Sequence, residues 1–432
     1  MRIAMLSVHT CPLAALGGKQ TGGMNVYVRE LSRELGRRGV QVDCFTRSEN
    51  PAVSHIDDTD LGPNVRVIHV VSGPEAPASK SVIWQHLPSF VDGVRHFARR
   101  EDIQYHVIHS HYWFSGWVAW MLESDWPSVP IVHMFHTLGH LKNLVAQTGA
   151  KQEMRQRVTM ETEIMRFADR LVAATPRDRE QMITFYGADP TKIAVIPPGV
   201  DLELFRPIPQ VEAKAHLGLP AEHRMILFVG RIEPLKGLDT LIRAMARLVE
   251  KEPLLRGAFC VCIIGGEVEP ELMDDEMRRL NRLRGELGIS DVVTFLGSRD
   301  QTELPYYYSA AEMIAVPSYY ESFGMVALEA MACGTPVIAS DVGGLSFIVR
   351  DGETGFLIPE RDTDALAEKM LLFLSRPELR DDLGSRGVEI AQGYAWSSIA
   401  RQILSLYREV LPPDIEDSTI VHSSVSADTA FG

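Results

Sequence analysis

The 432-residue sequence is short of the features that mark several protein classes. It has five cysteines, Cys11, Cys44, Cys260, Cys262 and Cys333, with no CxxC pair among them. That set argues against a disulfide framework and for reduced thiols in a reducing compartment. Cys260 and Cys262 alternate along an apolar run and are expected to pack on one face. No hydrophobic run approaches the ~20 residues that a membrane span needs. The apolar start, Met1 to Val8, is too short for a signal peptide and lacks a cleavage pattern. Cytoplasmic localisation is therefore the expectation. Positive charge is also scarce. A net charge of −14 argues against nucleic-acid binding and against a generally basic membrane-binding surface. It leaves room for a small basic pocket. Missing too are GxGxxG with an acid about 20 residues on, a P-loop ending in Gly-Lys-Ser/Thr, and a Gly-x-Ser-x-Gly elbow. Their absence weakens dehydrogenase, nucleotide-kinase and serine-hydrolase readings.

What is present is an alternating pattern. Short β-branched runs such as Ile3 to Val8, Val40 to Phe45, Val65 to Val70 and Val107 to His109 read as strands. Amphipathic stretches lie between them, including Asn25 to Arg38, Leu87 to Arg99 and Gln152 to Phe167. The alternation restarts at Ile226 to Val229, after a proline-rich stretch from Pro197 to Pro207 that reads as a linker. Strands alternating with helices imply parallel sheets covered on both faces. The expected fold is α/β, two doubly wound Rossmann-like domains facing across a cleft. The expected boundaries are residues 1–200 and 201–395, then a helix over 396–411 and a disordered tail over 412–432.

Several segments could carry chemistry. Glu321 follows the strand Met313 to Val316, and Glu329 lies in the helix after it. Ligands of open α/β sheets bind at the carboxyl ends of strands, where an acid can accept hydrogen bonds from sugar hydroxyls. Two solvated acids are the plain alternative. Arg231 and Lys236 flank a tight turn after Ile226 to Val229 and would form a diphosphate clamp, or else two solvated cations. The glycine-rich stretch from Gly17 to Gly23 precedes a helix, where close backbone approach and free amides favour an anion; a flexible loop is the alternative. Histidines cluster at His106, His109 and His111 and again at His133, His136 and His140. Zinc is one reading, but no cysteine or acid completes a set at ordinary metal spacing. Cleft-lining hydrogen-bond groups and buried structural histidines are the other.

Gly22-Gly23-Met24-Asn25-Val26-Tyr27-Val28, the Arg231/Lys236 pair and the Glu321–Glu329 segment together resemble family 4 retaining glycosyltransferases of GT-B fold. The likeness runs from Met1 to about Val410. Within the family it points to the inositol-phosphate N-acetylglucosaminyltransferases of mycothiol biosynthesis. The segments Ser7-Val8-His9-Thr10, His109-Ser110-His111-Tyr112-Trp113 and His136-Thr137-Leu138 carry that likeness. Sucrose-phosphate synthases share the scaffold, but usually have Gln where Met24 stands and Glu-Pro-Phe-Gly where Glu321-Ser322-Phe323-Gly324 stands. The chain departs from the inositol-phosphate branch between Leu144 and Met154, and at Met134-Phe135 beside His136.

The resemblance implies roles. Arg231 and Lys236 would hold the diphosphate of a UDP-sugar, Gly23 would approach it, and Arg299 would lie along the uracil. Glu329 would bind the ribose, while Glu321 and His136 would meet the donor sugar. Lys80, Tyr112, Thr137 and Arg157 would grip an acceptor phosphate, with His9 and Asn25 at its ring. A magnesium ion near Tyr308, Ser309, Ala311 and Thr335 is an option, though Ser309 replaces the usual arginine; no cofactor is otherwise implied. The implied partners are a UDP-sugar and a phosphorylated small acceptor, and a homodimer is an option. Two other readings stand beside this one. A non-catalytic sugar-nucleotide binder would share the clamp. A lipid-acceptor enzyme would use a basic face such as Arg29, Arg33, Arg37 and Arg38, which equally suits a solvated helix.

Overall fold

The computed structural model describes residues 1–14, 22–145, 155–257 and 259–412. Gly17 to Thr21 of the glycine-rich stretch, most of the segment from Leu144 to Met154, and the tail beyond 412 lie outside the described residues.

The β-branched runs form two sheets. The first holds β1 (Arg2–Leu6), β2 (Gln41–Arg47), β3 (Ile56–Asp57), β4 (Val65–Val70), β5 (Val107–His111), β6 (Ile131–Met134), β7 (Arg170–Ala173) and β8 (Ile193–Val195), in the order β3-β4-β2-β1-β5-β6-β7-β8. All pair in parallel except the short edge strand β3. The second holds β9 (Arg224–Val229), β10 (Phe259–Ile264), β11 (Val293–Gly297), β12 (Met313–Val316), β13 (Val337–Ser340) and β14 (Gly355–Ile358), in the order β11-β10-β9-β12-β13-β14, all parallel. Each sheet thus reverses its winding once, between β1 and β5 and between β9 and β12. Two Rossmann-like domains are the result.

Helices cover both faces because their apolar residues recur at three- and four-residue spacing. In Leu238–Lys251 the buried stripe is Leu238, Leu241, Ile242, Met245, Leu248 and Val249, packed on one face of the second sheet. Lys80–Arg100 is longer than the pattern from Leu87 suggests. Pro88, a usual helix-start signal, sits inside it. The extra turns bring Lys80 to the helix's first position.

The last helix, Trp396–Val410, does not stay with the second domain. The chain crosses back near Tyr394, whose carbonyl accepts a bond from the Val200 amide at 2.8 Å. The helix then packs on Gly23–Arg37. Trp396 stacks edge-on to Tyr27 at 5.5 Å, and the Ser397 carbonyl accepts from Arg38 at 2.9 Å. Ile399, Ile403 and Leu406 are buried beneath it, each contributing about 1.5–3 kcal/mol. One continuous core runs from Val132 of the first sheet, through Trp396 and Tyr407, to Leu227 and Leu328 of the second domain.

Candidate active site

Both reversals of strand order open on the same space. Past β1 lie His9 and Thr10, and past β5 lies Tyr112. Past β9 lie Gly230 and Arg231, and past β12 lie Ser318, Tyr319, Glu321 and Ser322. All border one cleft of about 990 Å³. The sequence-predicted residues His9, Gly23, Asn25, Lys80, Tyr112, His136, Thr137, Arg231, Lys236 and Glu321 line it.

The second-domain wall carries two ion pairs. Arg231 meets Glu233 at 2.9 Å, and Lys236 Nζ meets Glu321 Oε2 at 2.5 Å. Lys236 ends a single turn, Pro234–Lys236, that Gly237 closes with φ 66°. A side chain there would meet the Pro317 carbonyl at 1.9 Å, so only glycine lets the turn sit against the end of β12. The Glu321 carbonyl accepts from the Gly344 amide at 2.9 Å, which fixes the loop that carries the acid. Opposite, Gly22 faces Arg231 and Gly23 faces Met325: Cβ atoms there would stand 3.6 Å from Arg231 Nε and 3.1 Å from Met325 Sδ. The helix Gly23–Arg37 has no acid in its first turn. Its free amides therefore add to the positive field beside Arg231.

The first-domain wall gathers four residues from distant segments. Tyr112 lies between two cations, with Lys80 Nζ 5.5 Å and the Arg157 guanidinium 4.9 Å from its ring centre. Arg157 Nη2 donates to the Thr137 carbonyl at 2.7 Å and to its hydroxyl at 3.0 Å. Arg157 itself is fully buried and does not line the cleft. Its Nε donates to the equally buried Glu161 at 2.7 Å, and Glu161 also accepts from Tyr186. Asn25 lines the cleft with its amide engaged, donating to Thr10 and Cys11 and accepting from Gly22 at 2.9 Å.

The histidines pair with one another. His111 Nε2 lies 2.9 Å from Met5 Sδ, and its Nδ1 lies 3.0 Å from His136 Nε2. A thioether can only accept, so His111 carries its proton on Nε2. Burial holds both rings neutral, His136 down to about 3 and His111 well below its usual value. His111 Nδ1 is then an acceptor and His136 Nε2 the donor. His136 Nδ1 is left as an acceptor. His136 and Tyr112 both have left-handed backbones, φ 60° and 70°. Such strain in residues with side chains gathers at functional sites. Among the described residues no three His, Cys, Asp or Glu are grouped to hold a metal ion. At the magnesium option, Thr335 donates to the Tyr308 carbonyl at 2.7 Å, and Ser309 accepts from the Ile208 amide at 3.2 Å.

Arg299 and Glu329 stand outside the cleft lining. Arg299 donates to the Tyr307 hydroxyl at 3.1 Å. Glu329 accepts from the Tyr308 hydroxyl at 2.8 Å, and burial pushes its carboxyl up to about 7. It borders a small neighbouring crevice with Glu30, Gln301 and Met325. Sequence reasoning gave no role to Glu233, Asp239, Tyr319, Arg279 or Arg361, which also line the cleft. Glu233 lies between the two clamp cations and was within reach of that reading. Arg279 and Arg361 come from segments with no motif to flag them.

Comparison with known proteins gives the family. Residues 21–204 match the family model described as Glycosyltransferase Family 4, and residues 210–389 that described as Glycosyl transferases group 1. The chain is 43% identical over 407 residues to D-inositol 3-phosphate glycosyltransferase 2 of Catenulispora acidiphila, covering 94% of each chain. It is 44% identical over 411 residues to D-inositol 3-phosphate glycosyltransferase of Actinosynnema mirum, covering 94% of this chain and 96% of the relative. The chain belongs to glycosyltransferase family 4.

Among solved structures, sucrose-phosphate synthase from Thermosynechococcus elongatus superposes on this glycosyltransferase with TM-score 0.86. It is 37% identical, over 95% of this chain and 98% of that one. WaaG, a glycosyltransferase of lipopolysaccharide biosynthesis, shares the fold at TM-score 0.69 and 18% identity, over 94% and 99% of the two chains. The arrangement is GT-B. Among the described residues no helix is long and apolar enough to cross a membrane.

Proposed function

We propose that this glycosyltransferase moves a hexosyl unit, GlcNAc or glucose, from a UDP-sugar to 1D-myo-inositol 3-phosphate with retention of configuration. One observation carries the reading: two cationic sites face each other across one cleft. Arg231 and Lys236 form one; Lys80, Tyr112 and Thr137 border the other, with the buried Arg157 behind Tyr112 and Thr137. A diphosphate donor and a monophosphate acceptor need such a pair. The names of the 43–44% identical relatives support the inositol-phosphate acceptor.

In this reading the glycosyl–phosphate bond breaks with negative charge growing on departing UDP. Arg231, Lys236 and the amide at Gly23 stabilise that charge, being fixed before the reaction begins. Gly23 lets the diphosphate approach the backbone. Arg299 lies along the uracil and Glu329 takes the ribose hydroxyls, releasing Tyr308. His136 presents Nδ1 to a sugar hydroxyl. His9 and Asn25 face the acceptor ring. Glu321, already paired with Lys236, orients the sugar and is not a covalent nucleophile. A double displacement would need two carboxyl groups about 5–5.5 Å apart across the sugar. The leaving phosphate takes the acceptor proton instead, on the face it departs from.

The test crosses UDP-GlcNAc and UDP-glucose with inositol 3-phosphate, fructose 6-phosphate and no acceptor. UDP release and product mass are followed, and the anomeric configuration is read by NMR. Inositol 3-phosphate should drive UDP release and give an α-linked product. A second reading, glucose transfer to fructose 6-phosphate, is favoured by the superposition on sucrose-phosphate synthase. Product with fructose 6-phosphate alone would overturn the first reading in favour of the second, and an inverted product would overturn the retaining mechanism.

A further inference from the structure

The five thiols differ in their surroundings. Cys44 and Cys333 are buried, and burial pushes the Cys44 thiol up to about 12 and raises Cys333 as well. Cys11 is half-buried, and burial again pushes its thiol up, to about 11. Cys260 and Cys262 stand two residues apart in β10, so their side chains project from one face of the strand. Their sulfurs are 3.4 Å apart. Cys262 is buried, whereas Cys260 keeps access to solvent. His223, in the loop that enters β9, places Nε2 3.0 Å from the Cys260 sulfur. Register between β9 and β10 sets Cys260 opposite Met225, which brings the entering loop alongside.

We propose that Cys260 is a reactive thiolate, activated by Cys262 and His223, that exchanges with disulfides of low-molecular-weight thiols. Two donors converge on one half-buried sulfur. The Cys262 S–H and the His223 Nε2–H both favour the charged form of Cys260, and the two thiols share one dissociable proton between them. Donation from Cys262 is the larger influence; burial opposes it, and His223 adds to it. The net direction is a lowered Cys260 and a raised Cys262. The thiolate is the nucleophile in exchange, so a lowered thiol that solvent reaches is the one that reacts.

The step balances with the disulfide itself as the oxidant: Cys260 sulfur is oxidised and one half of RSSR is reduced. Cys260 sulfur attacks one sulfur of RSSR, the S–S bond breaks, and RS⁻ leaves and takes a proton from solvent. The product is a mixed disulfide, Cys260–S–S–R, and one RSH. The site lies toward the amino end of β10, while the cleft opens at the carboxyl ends of the strands. Exchange there marks the protein without touching the cleft. The inference does not depend on the substrates proposed above.

The test uses the full chain with glutathione disulfide as the probe, followed by peptide mass mapping, and iodoacetamide alkylation rates against pH. Cys260 should take up the glutathionyl group first among the five cysteines. Its alkylation rate should level off below the pH at which free glutathione does. His223→Ala and, separately, Cys262→Ala should each slow alkylation at pH 7, by about tenfold if the Cys260 thiol rises about two pH units from its value of about 6. Cys260→Ser should abolish early labelling while leaving UDP release and melting temperature unchanged. Labelling of Cys11 before Cys260 would overturn the inference. So would a Cys260 rate no faster than glutathione's, or an unchanged rate in both folded variants.

Discussion

Lys236→Met separates the clamp from ordinary surface charge. Lys236 lies 2.5 Å from Glu321, and the side chains are 19% and 18% exposed. A pair this accessible contributes at most about 1 kcal/mol to folding, because solvent screens it and Glu321 can turn to water. That corresponds to a fall in melting temperature of about 2–4 °C for domains of this size. The catalytic loss is larger. Removing one fixed donor from growing transition-state charge costs about 2.7–4 kcal/mol, or 10²–10³ in kcat. Because the interaction strengthens as UDP departs, kcat should fall while KM for the donor changes little. Lys236→Arg keeps the charge and should retain part of the rate. Acceptor-dependent UDP release gives the kinetics, and scanning calorimetry gives the stability. A loss in kcat/KM below about tenfold in folded protein would refute the clamp, as would a loss matched by the unfolded fraction.

Stability should fall steeply in mild acid. Burial lowers His109 and His136 to about 3, and it leads the other causes in lowering His9, His111 and His133 well below their usual value. Their folded values lie below the unfolded value of about 6.5, so the unfolded chain takes up protons first as pH drops. The stability they confer is present above that value and is lost as pH falls toward 3, at about 1.4 kcal/mol per pH unit for each group. Glu329, raised to about 7, and Asp178, raised to about 6, act in the opposite sense but are fewer. A urea midpoint unchanged between pH 7.5 and 5 would contradict this. Tyr407→Phe removes the 2.7 Å bond to His109 Nδ1 between two buried side chains. It should cost about 1–3 kcal/mol in chemical denaturation, because the imidazole nitrogen is left unpaired. An unchanged midpoint would show that this bond adds nothing to the hold on the last helix.

Much of this molecule follows from local sequence. Short, largely apolar runs placed β4 and β12 at their observed residues, because strands buried on both faces leave little choice of composition. The strand Ile56–Asp57 escaped, being two residues long and only partly buried. Arg231, Lys236 and Glu321 were legible because they follow strands directly, where a doubly wound sheet delivers its loops to a ligand. Motif likeness, not periodicity, pointed to Lys80 and Arg157. Their meeting at Tyr112 depends on a helix that runs through Pro88 and on the buried Arg157–Glu161 pair.

The sequence by itself determined two parallel α/β units and the loops that bear charge, since strand and helix periods and glycine positions are local properties. Tertiary structure decided what those loops face. It set Gly22 against Arg231, returned the last helix to the first domain, and fixed the proton positions of His111 and His136. It also left Glu329 on Tyr308 beside the cleft. Each of these depends on contacts between residues far apart in the chain, and no local period or propensity encodes such distances.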